Sequence, residues 1–584
     1  MWKKGLLFMA LCLLLAGTLA FIGCETPEEE VEEEEPAVDN PAKDQRDDVF
    51  IHGDGELSGI FNPVLSATVY DSYIVQLAFD PLFAVDEEGN ITTENRSVAS
   101  EADMDEDGTV TIELEEGILF HDGEELTAED VAFTWEAVAH PDYDGPRRAT
   151  VNNIQGIDEI TPGDDDEEED IQEMREQLSE EGVAGVEIVD DHTLVVESIE
   201  PLAVQKDDIN VTGVMPKHHY KWDFTDPEAY ADEFQALNME PMGSGPYVFD
   251  EYVTDERAEF TAFEDYFLGE PATEQFIYDE YDDLGALIPA LEAGDVDAID
   301  YQTDVESYEM VDDIEHAMQV QHLNNGYAYI SVHQEHPVLG EQEVRQALMY
   351  GLDRGAWVEG FFGELGQVAH TSLAPASWAY PGDEAFEHYE YDPDKANELL
   401  DEAGFDEWCE DEEYRLNDDG EPIELTYETY EEADWSVEIP EIAQDQWGDL
   451  GLDVTIEMSD CPTLQESTQL EQDFDIYNMA FNLAADPDPY ELFHSDFTDP
   501  GEFNSMQYKC DEADELMEEG RREFDREERK EIYQELFTHF NEDLPMLFVY
   551  FRDETYGVNQ RVDNFQPTEF QDWTWNVHEI SVDY

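Results

Sequence analysis

The segment Asp103-Met104-Asp105-Glu106-Asp107-Gly108 has the carboxylate spacing with which a calcium loop begins. Such a loop ends in a bidentate Glu at its twelfth position. Here that position is Leu114, and Val110 to Leu114 alternates apolar and polar residues as a strand does. The segment therefore reads as a hairpin turn at Asp107-Gly108. His218-His219, His333 with His336, and His121 in Phe120-His121-Asp122-Gly123 could each lend ligands to a metal, but no third or fourth ligand follows at a recognisable spacing. HExxH, GxSxG, GxxxxGK[ST] and a GxGxxG opening a helix are all missing. Carboxylate pairs occur throughout, so they mark no acid–base centre. Neither catalysis, nor a metal, nor a cofactor is expected.

The charge bounds the setting. Asp and Glu number 152 against 24 Lys and Arg, a formal net charge of −128. At low ionic strength that self-repulsion opposes compaction. At molar salt the Debye length is about 3 Å and the repulsion is largely screened. Acids spread along the whole chain fit a protein exposed to brine better than one acidic tail, and phosphates of nucleic acid would be repelled. Hydrophobic residues at 41% and aromatics at 12% nevertheless predict a folded core. Moving from molar salt to tens of millimolar is expected to lower the melting temperature; a melting temperature indifferent to salt would discard the brine reading.

The N-terminus carries Lys3 and Lys4, an uncharged apolar run from Leu6 to Ile22, then Gly23 and Cys24 before a string of acids. This is similar to a lipoprotein signal peptide cut before an acylated Cys24, with Phe21 where Leu is usual. An ordinary cleaved signal or a retained anchor are the alternatives, since a run of about 17 residues is at the lower edge of a bilayer span. All three place the body outside the cytoplasm. Residues 24–48 read as an extended acidic tether. Among the remaining cysteines, Cys409, Cys461 and Cys510, at most one disulfide can form, and the spacing does not say which.

From Val49 onward, strand and helix patterns interleave, which predicts a mixed α/β architecture. A helix is expected after Thr127, with Val131, Trp135 and Val138 on its buried face. Another follows Asp392-Pro393, with Ala396, Leu399, Leu400 and Ala403 inward and Gly404 ending it. A third runs from about Arg526 to Phe540, with Ile532, Leu536, Phe537 and Phe540 on one side. Short strands are expected at His192 to Glu197 and Glu424 to Tyr427. Asp164 to Asp170 and Glu407 to Asp419 read as solvated surface insertions.

Leu119 to Trp135, Leu-Phe-His-Asp-Gly-Glu-Glu-Leu-Thr-Ala-Glu-Asp-Val-Ala-Phe-Thr-Trp, resembles the "FHDGxPLTAEDVVFSW" signature of family 5 extracellular solute-binding proteins, the peptide and nickel receptors of ABC importers. Asn62-Pro63, Asp80-Pro81-Leu82-Phe83, Gly243-Ser244-Gly245-Pro246-Tyr247, Leu291 to Asp297, Val344 to Leu348 with Asp353-Arg354, and Tyr391 to Phe405 are similar to further family segments, in family order. The resemblance implies a two-lobed, class II periplasmic-binding-protein-like α/β fold with an extra domain and a hinge. The implied division is 1–23 signal peptide, 24–48 tether, 49–97 lobe I, 98–212 extra domain II, 213–320 lobe I again, 321–545 lobe III and 546–584 the end of lobe I.

The function implied is capture of a small solute, an oligopeptide or dipeptide first, by a lipid-anchored extracytoplasmic monomer that hands it to an ABC permease. A nickel chelate, a sugar or another organic solute are alternatives. A carboxylate-pair hydrolase and a surface lipoprotein without a cleft are rivals of other classes. In peptide-binding relatives an Asp of an "ADY…DP" loop pairs with the ligand ammonium. Ala484-Ala485-Asp486-Pro487-Asp488-Pro489-Tyr490 is similar but shorter, which makes Asp486 the first ligand-binding candidate and Asp488 the second, with Asp488 equally able to cap the helix after Pro489. Asn62 is a third candidate. Phe120 to Gly123 is expected to be a turn, and Arg345 a structural ion-pair partner.

Overall fold

Twelve strands of one sheet carry the molecule. The computed structural model describes residues 40–583 except 46–47, 164–166, 282, 410–413, 418 and 432. The signal segment, Cys24 and most of the tether lie outside the described residues. From one edge the strands run Asp453–Ser459, Glu424–Tyr430, Ile476–Asn482, Gly326–Val332, Leu547–Asn559, Ala298–Asp300, Val49–Asp54, Gln275–Glu280, Arg257–Ala262 and Tyr247–Val253. Ala317–Leu323 and Gly366–Val368 also pair with Leu547–Asn559.

That strand divides the sheet in two. Residues 547–552 pair with Gly326–Val332 and Gly366–Val368, whereas 553–559 pair with Ala317–Leu323 and Ala298–Asp300. Among the described residues the chain therefore crosses between the halves twice, through the short bend from Leu323 to Gly326 and within a continuous strand at Arg552 to Asp553. Gly326–Val332 is buried along its whole length, as expected of a strand covered on both faces. Its half has a large apolar core, from Tyr327 to Phe551. The other half has a core around Phe50, Phe276, Tyr556 and Trp573. A third cluster gathers Val110, Trp135, Leu194 and Trp222 beneath a separate four-stranded sheet. This is the two-lobed α/β fold with an added layer that the resemblance implied.

Local readings can be checked against these elements. Ala99–Met104 and Val110–Leu114 form an antiparallel hairpin, closed by Asp105 N–H to Thr109 O with Gly108 at φ +81°. It is a turn and not a calcium loop. Helix Ala128–Ala139 starts where Thr127 N–H donates to Asp130 Oδ2 at 2.9 Å, and Val131, Trp135 and Val138 are buried. Asp392 caps helix Pro393–Glu402 through Lys395 N–H. Helix Arg526–Asp543 buries Tyr533 rather than Ile532, because the 3.6-residue period places Tyr533 in line with Leu536, Phe537 and Phe540.

The described part of the first acidic stretch, 167–170, is exposed, whereas the second differs from a simple solvated insertion. Asp170, at the end of the first, accepts from Glu167 N–H at the start of helix Glu168–Glu181, where acids suit the dipole. In the second, Arg415 is 1% exposed and donates to Asp401, Asn397, Phe405 O and Leu450 O. Residues 164–166 and 410–413 lie outside the described residues.

Candidate functional site

Parallel strands present a common end, and in open α/β sheets that carboxyl end is where ligands sit. In one half, Val49–Asp54, Gln275–Glu280 and Ala298–Asp300 are parallel and end at Asp54, Glu280 and Asp300. In the other, Glu424–Tyr430, Asp453–Ser459 and Ile476–Asn482 are parallel and end at Tyr430, Ser459 and Asn482. The two sets of ends face the crossing between the halves. Gln302, just past the first set, donates to Asp434, just past the second, at 3.4 Å. Asn325, at the crossing, donates to Leu483 O and Ala484 O at 3.1 and 3.0 Å.

The loop from Leu483 to Pro489 leaves strand Ile476–Asn482 at this end. Asp486 Oδ1 accepts from Asp488 N–H, and Asp488 Oδ1 accepts from Tyr490 N–H, so each carboxylate also braces its own loop. A cavity of about 390 Å³ opens beside it. Asp486, Asp488, Leu483 and Arg521 line one wall, and Asp207, Asp208 and Asn210 from the third cluster's layer line the other. Ligand cavities commonly occupy about 300–1,000 Å³.

Neither carboxylate of the loop is bare. Arg529, 8% exposed at its side chain, grips Asp486 in a two-point fork, Nη1 to Oδ2 at 2.6 Å and Nη2 to Oδ1 at 2.7 Å. Arg521 Nε lies 3.0 Å from Asp488 Oδ2, and its Nη2 reaches across to Asp208 Oδ2 at 3.6 Å. Tyr490 lies under the Arg521 guanidinium at 4.3 Å, and Trp378 and Tyr533 flank Arg529. Further contacts join the segment from Arg521 to Arg526 to residues 90, 200 and 203. Ala203 N–H donates to Arg521 O at 2.7 Å, Arg522 pairs with Glu200 at 3.0 Å, and Arg526 hydrogen-bonds Asn90.

Carboxylates still outnumber guanidinia here. Burial, followed by repulsion from Asp486, pushes Asp207 up to about 7. Burial pushes Asp208 up to about 8, with Arg521 opposing and Asp488 adding to the rise. Burial also raises Asp488 to about 6, against the pull of Arg521. At the strand ends, burial holds Asp300 well above the usual carboxylate range, reinforced by Glu554 and Asp54 and opposed by Arg552. Protons or a ligand cation would each relieve this excess.

The third candidate, Asn62, sits elsewhere. It is 1% exposed, its Oδ1 accepts from Val64 N–H, and its carbonyl accepts from Leu65 and Ser66 N–H. It shapes a turn and is not among the residues lining the cavity. Phe120 to Gly123 is a turn, and His121 Nε2 contacts Gly245 O, joining that segment to Gly243 to Tyr247. Arg345 pairs with Asp543 at 3.1 Å and so has a structural partner.

Asp207, Asp208, Arg521 and Arg529 carry much of the site, and motif reading did not single them out. A composition signal was present. Arg521, Arg522, Arg526, Arg529 and Lys530 place five of the chain's 24 basic residues within ten positions.

Two mixed-sheet halves, each with a parallel core of strands, joined by crossing segments, with a charged cavity between walls from separate layers, define a two-lobed binding protein. The model described as "Bacterial extracellular solute-binding proteins, family 5 Middle" matches residues 95–504, and the chain belongs to that family. The family consists of solute-binding proteins. Oligopeptide-binding protein AppA of Bacillus subtilis (strain 168) is 26% identical over 525 residues, covering 89% of each chain. The AppA structure, in complex with a nonapeptide, superposes with TM-score 0.75 at 25% identity, over 92% of this chain and 99% of that one. NikZ of Campylobacter jejuni, in complex with Ni(L-His), shares the fold with TM-score 0.74 at 22% identity, over 91% and 99%. No helix among the described residues is long and apolar enough to cross a membrane.

Proposed function

We propose that this chain is the extracytoplasmic substrate-binding component of an ABC importer and that it captures peptides with a free amino terminus. The observation that carries the reading is the carboxylate excess of the cavity: Asp207, Asp208, Asp486 and Asp488 converge there against Arg521 and Arg529. A ligand ammonium in that cavity would neutralise acids that otherwise repel one another out of water. The AppA relationship supports a peptide over the nickel chelate, sugar or other solute. Asp486 and Asp488 remain the proposed ligand carboxylates, now with Asp207 and Asp208 opposite them, and Asn62 supports the turn behind the wall.

The pH dependence follows from the direction of the shifts. Acids whose folded values lie above the unfolded one bind more protons when folded, so the arrangement that packs these acids around the cavity is favoured by acid. It loses stability as pH rises from about 4 toward about 8. An ammonium must displace those protons. Calorimetry with an amino-terminated peptide is therefore expected to show proton release at pH 7 and tighter binding at pH 8 than at pH 6. Acetylating the amino terminus should weaken binding by about 2–5 kcal/mol. Equal affinity for both peptides would remove the ammonium from the cavity.

The division at 49–97, 98–212, 213–320, 321–545 and 546–584 belongs to the same proposal. In its favour, all four strands of the smaller sheet, from Ala99–Met104 to Thr193–Val196, fall within 98–212. So does anchoring of a monomer at the outer face of the membrane or in the periplasm, through acylated Cys24 and the acidic tether. The mass of the mature N-terminal peptide tests this: a diacylglyceryl Cys24 is expected, and an unmodified residue or an uncut signal contradicts it. The closed form would be what the permease recognises, because closure alone brings both walls into one surface.

A further inference from the structure

A second cluster of ligating atoms lies in the segment before helix Asp511–Arg522 and the last turns of helix Arg526–Asp543. His539 and Asp543 are four residues apart on that helix and share a face. Cys510 comes to them from the N-cap position of the other helix. Cys510 Sγ is 3.4 Å from His539 Nε2, and His539 Nε2 is 4.0 Å from Asp543 Oδ2. The thiol, imidazole and carboxylate donor atoms all lie within 4.8 Å of one another.

Two kinds of chemistry could use these residue types. A relay for nucleophilic cysteine needs the imidazole between the thiol and the acid, one on each ring nitrogen. Here both neighbours face the same nitrogen, Nε2, so a proton passed from sulfur has no second nitrogen leading to the acid. Convergence on one point is instead what a metal requires. Zinc bonds of about 2.0–2.3 Å at the tetrahedral angle put ligand atoms about 3.4–3.6 Å apart. The sulfur–nitrogen separation is already there, the nitrogen–oxygen separation must close by roughly half an ångström, and the sulfur–oxygen separation, within 4.8 Å, closes with the same movement.

The surroundings suit a cation. The site is at the C-terminal end of an 18-residue helix, where carbonyl dipoles favour positive charge. Arg345 Nη2 holds the other oxygen of Asp543, Oδ1, at 3.1 Å, which orients Oδ2 toward the cluster as an outer-shell partner does. His539 and Asp543 are 22% and 20% exposed at their side chains, so an ion has a path in. Cys510 is a free thiol.

We propose that Cys510, His539 and Asp543 form a site for a borderline divalent metal, Zn²⁺ first, with the fourth position open to water. Thiolate, imidazole and carboxylate together fit Zn²⁺ better than the hard cations Mg²⁺ or Ca²⁺, which take oxygen ligands. Bound there, the ion would fasten the segment around Cys510 to the end of the long helix. The site is separate from the ligand cavity and does not depend on the peptide reading.

The test is titration of the intact, reduced protein with Co²⁺ in molar NaCl, where the acidic surface is screened. A thiolate-to-cobalt charge-transfer band is expected to saturate at one equivalent and to vanish on adding Zn²⁺. The band should survive in the double variant Cys409→Ser, Cys461→Ser and be lost in Cys510→Ser. His539→Gln, which keeps most of the volume should Cys510→Ser fold poorly, should weaken Zn²⁺ binding by more than the ~10-fold seen for outer-shell changes. Absence of the band in the natural protein, its persistence in Cys510→Ser, or unchanged Zn²⁺ affinity in His539→Gln would each overturn the site.

Discussion

Asp486→Ala is expected to lower the unfolding free energy by about 3–5 kcal/mol, because it strands the Arg529 guanidinium in a largely buried position. Arg529 would keep Gly520 O and the Tyr533 hydroxyl, but no carboxylate of its own lobe in contact. Asp207 across the cavity is close enough to feel Arg529, so part of the loss can be recovered there, and the low end of the range is the better expectation. Adding Arg529→Leu should return most of the stability, since replacing both partners of a buried pair by apolar groups is often nearly neutral. Urea unfolding of the three variants measures this. A carboxylate held only for the ligand would behave differently: Asp486→Ala would then fold as stably as the natural protein and lose binding alone.

Asp297→Ala should be as damaging, for reasons unrelated to ligand. Asp297 and Arg561 are both fully buried, with Nε to Oδ1 at 2.7 Å and Nη2 to Oδ2 at 3.1 Å. Asp297 Oδ2 also accepts from Ile51 N–H, and Arg561 donates to Val49 O. One ion pair thus ties the C-terminal segment to the strand that opens the fold. Removing the acid takes the Asp297 carboxylate away from a fully buried guanidinium, at about 3–5 kcal/mol. The double variant Asp297→Leu, Arg561→Met should recover much of that. A single-variant loss below about 1 kcal/mol would mean that the chain relaxes enough to wet the arginine.

How far the sequence alone reaches can be judged from these residues. Local chemistry was legible: the Thr127 and Asp392 helix starts, the buried faces of the two helices they open and the Asp107-Gly108 turn follow from capping and periodicity, while the third helix reads one position off, at Ile532 instead of Tyr533. The two-lobed fold was legible through the motif order. Partners from distant segments were not legible. Arg529 meets Asp486 from 43 positions away, and Asp207 and Asp208 face the loop from another layer. With 152 acids in the chain, no carboxylate announces its role by its type. Scarcity is the better guide in such a composition: the basic cluster from Arg521 to Lys530 supplies Arg521, which lines the cavity, and Arg529, which holds Asp486. The same limit hid Cys510, His539 and Asp543, whose spacing in sequence resembles no metal motif.

Small-angle scattering of the protein with and without an amino-terminated peptide tests hinged capture most directly. Crossings between halves at two places among the described residues permit opening, and the pairs of Arg521 with Asp208 and Arg522 with Glu200 are among the contacts that opening would break. The peptide-free sample should show a larger radius of gyration that contracts on saturation, and the peptide should be recovered chemically intact. Superimposable curves from peptide-free and peptide-saturated protein, or a cleaved peptide, would contradict a binding protein that works by closing.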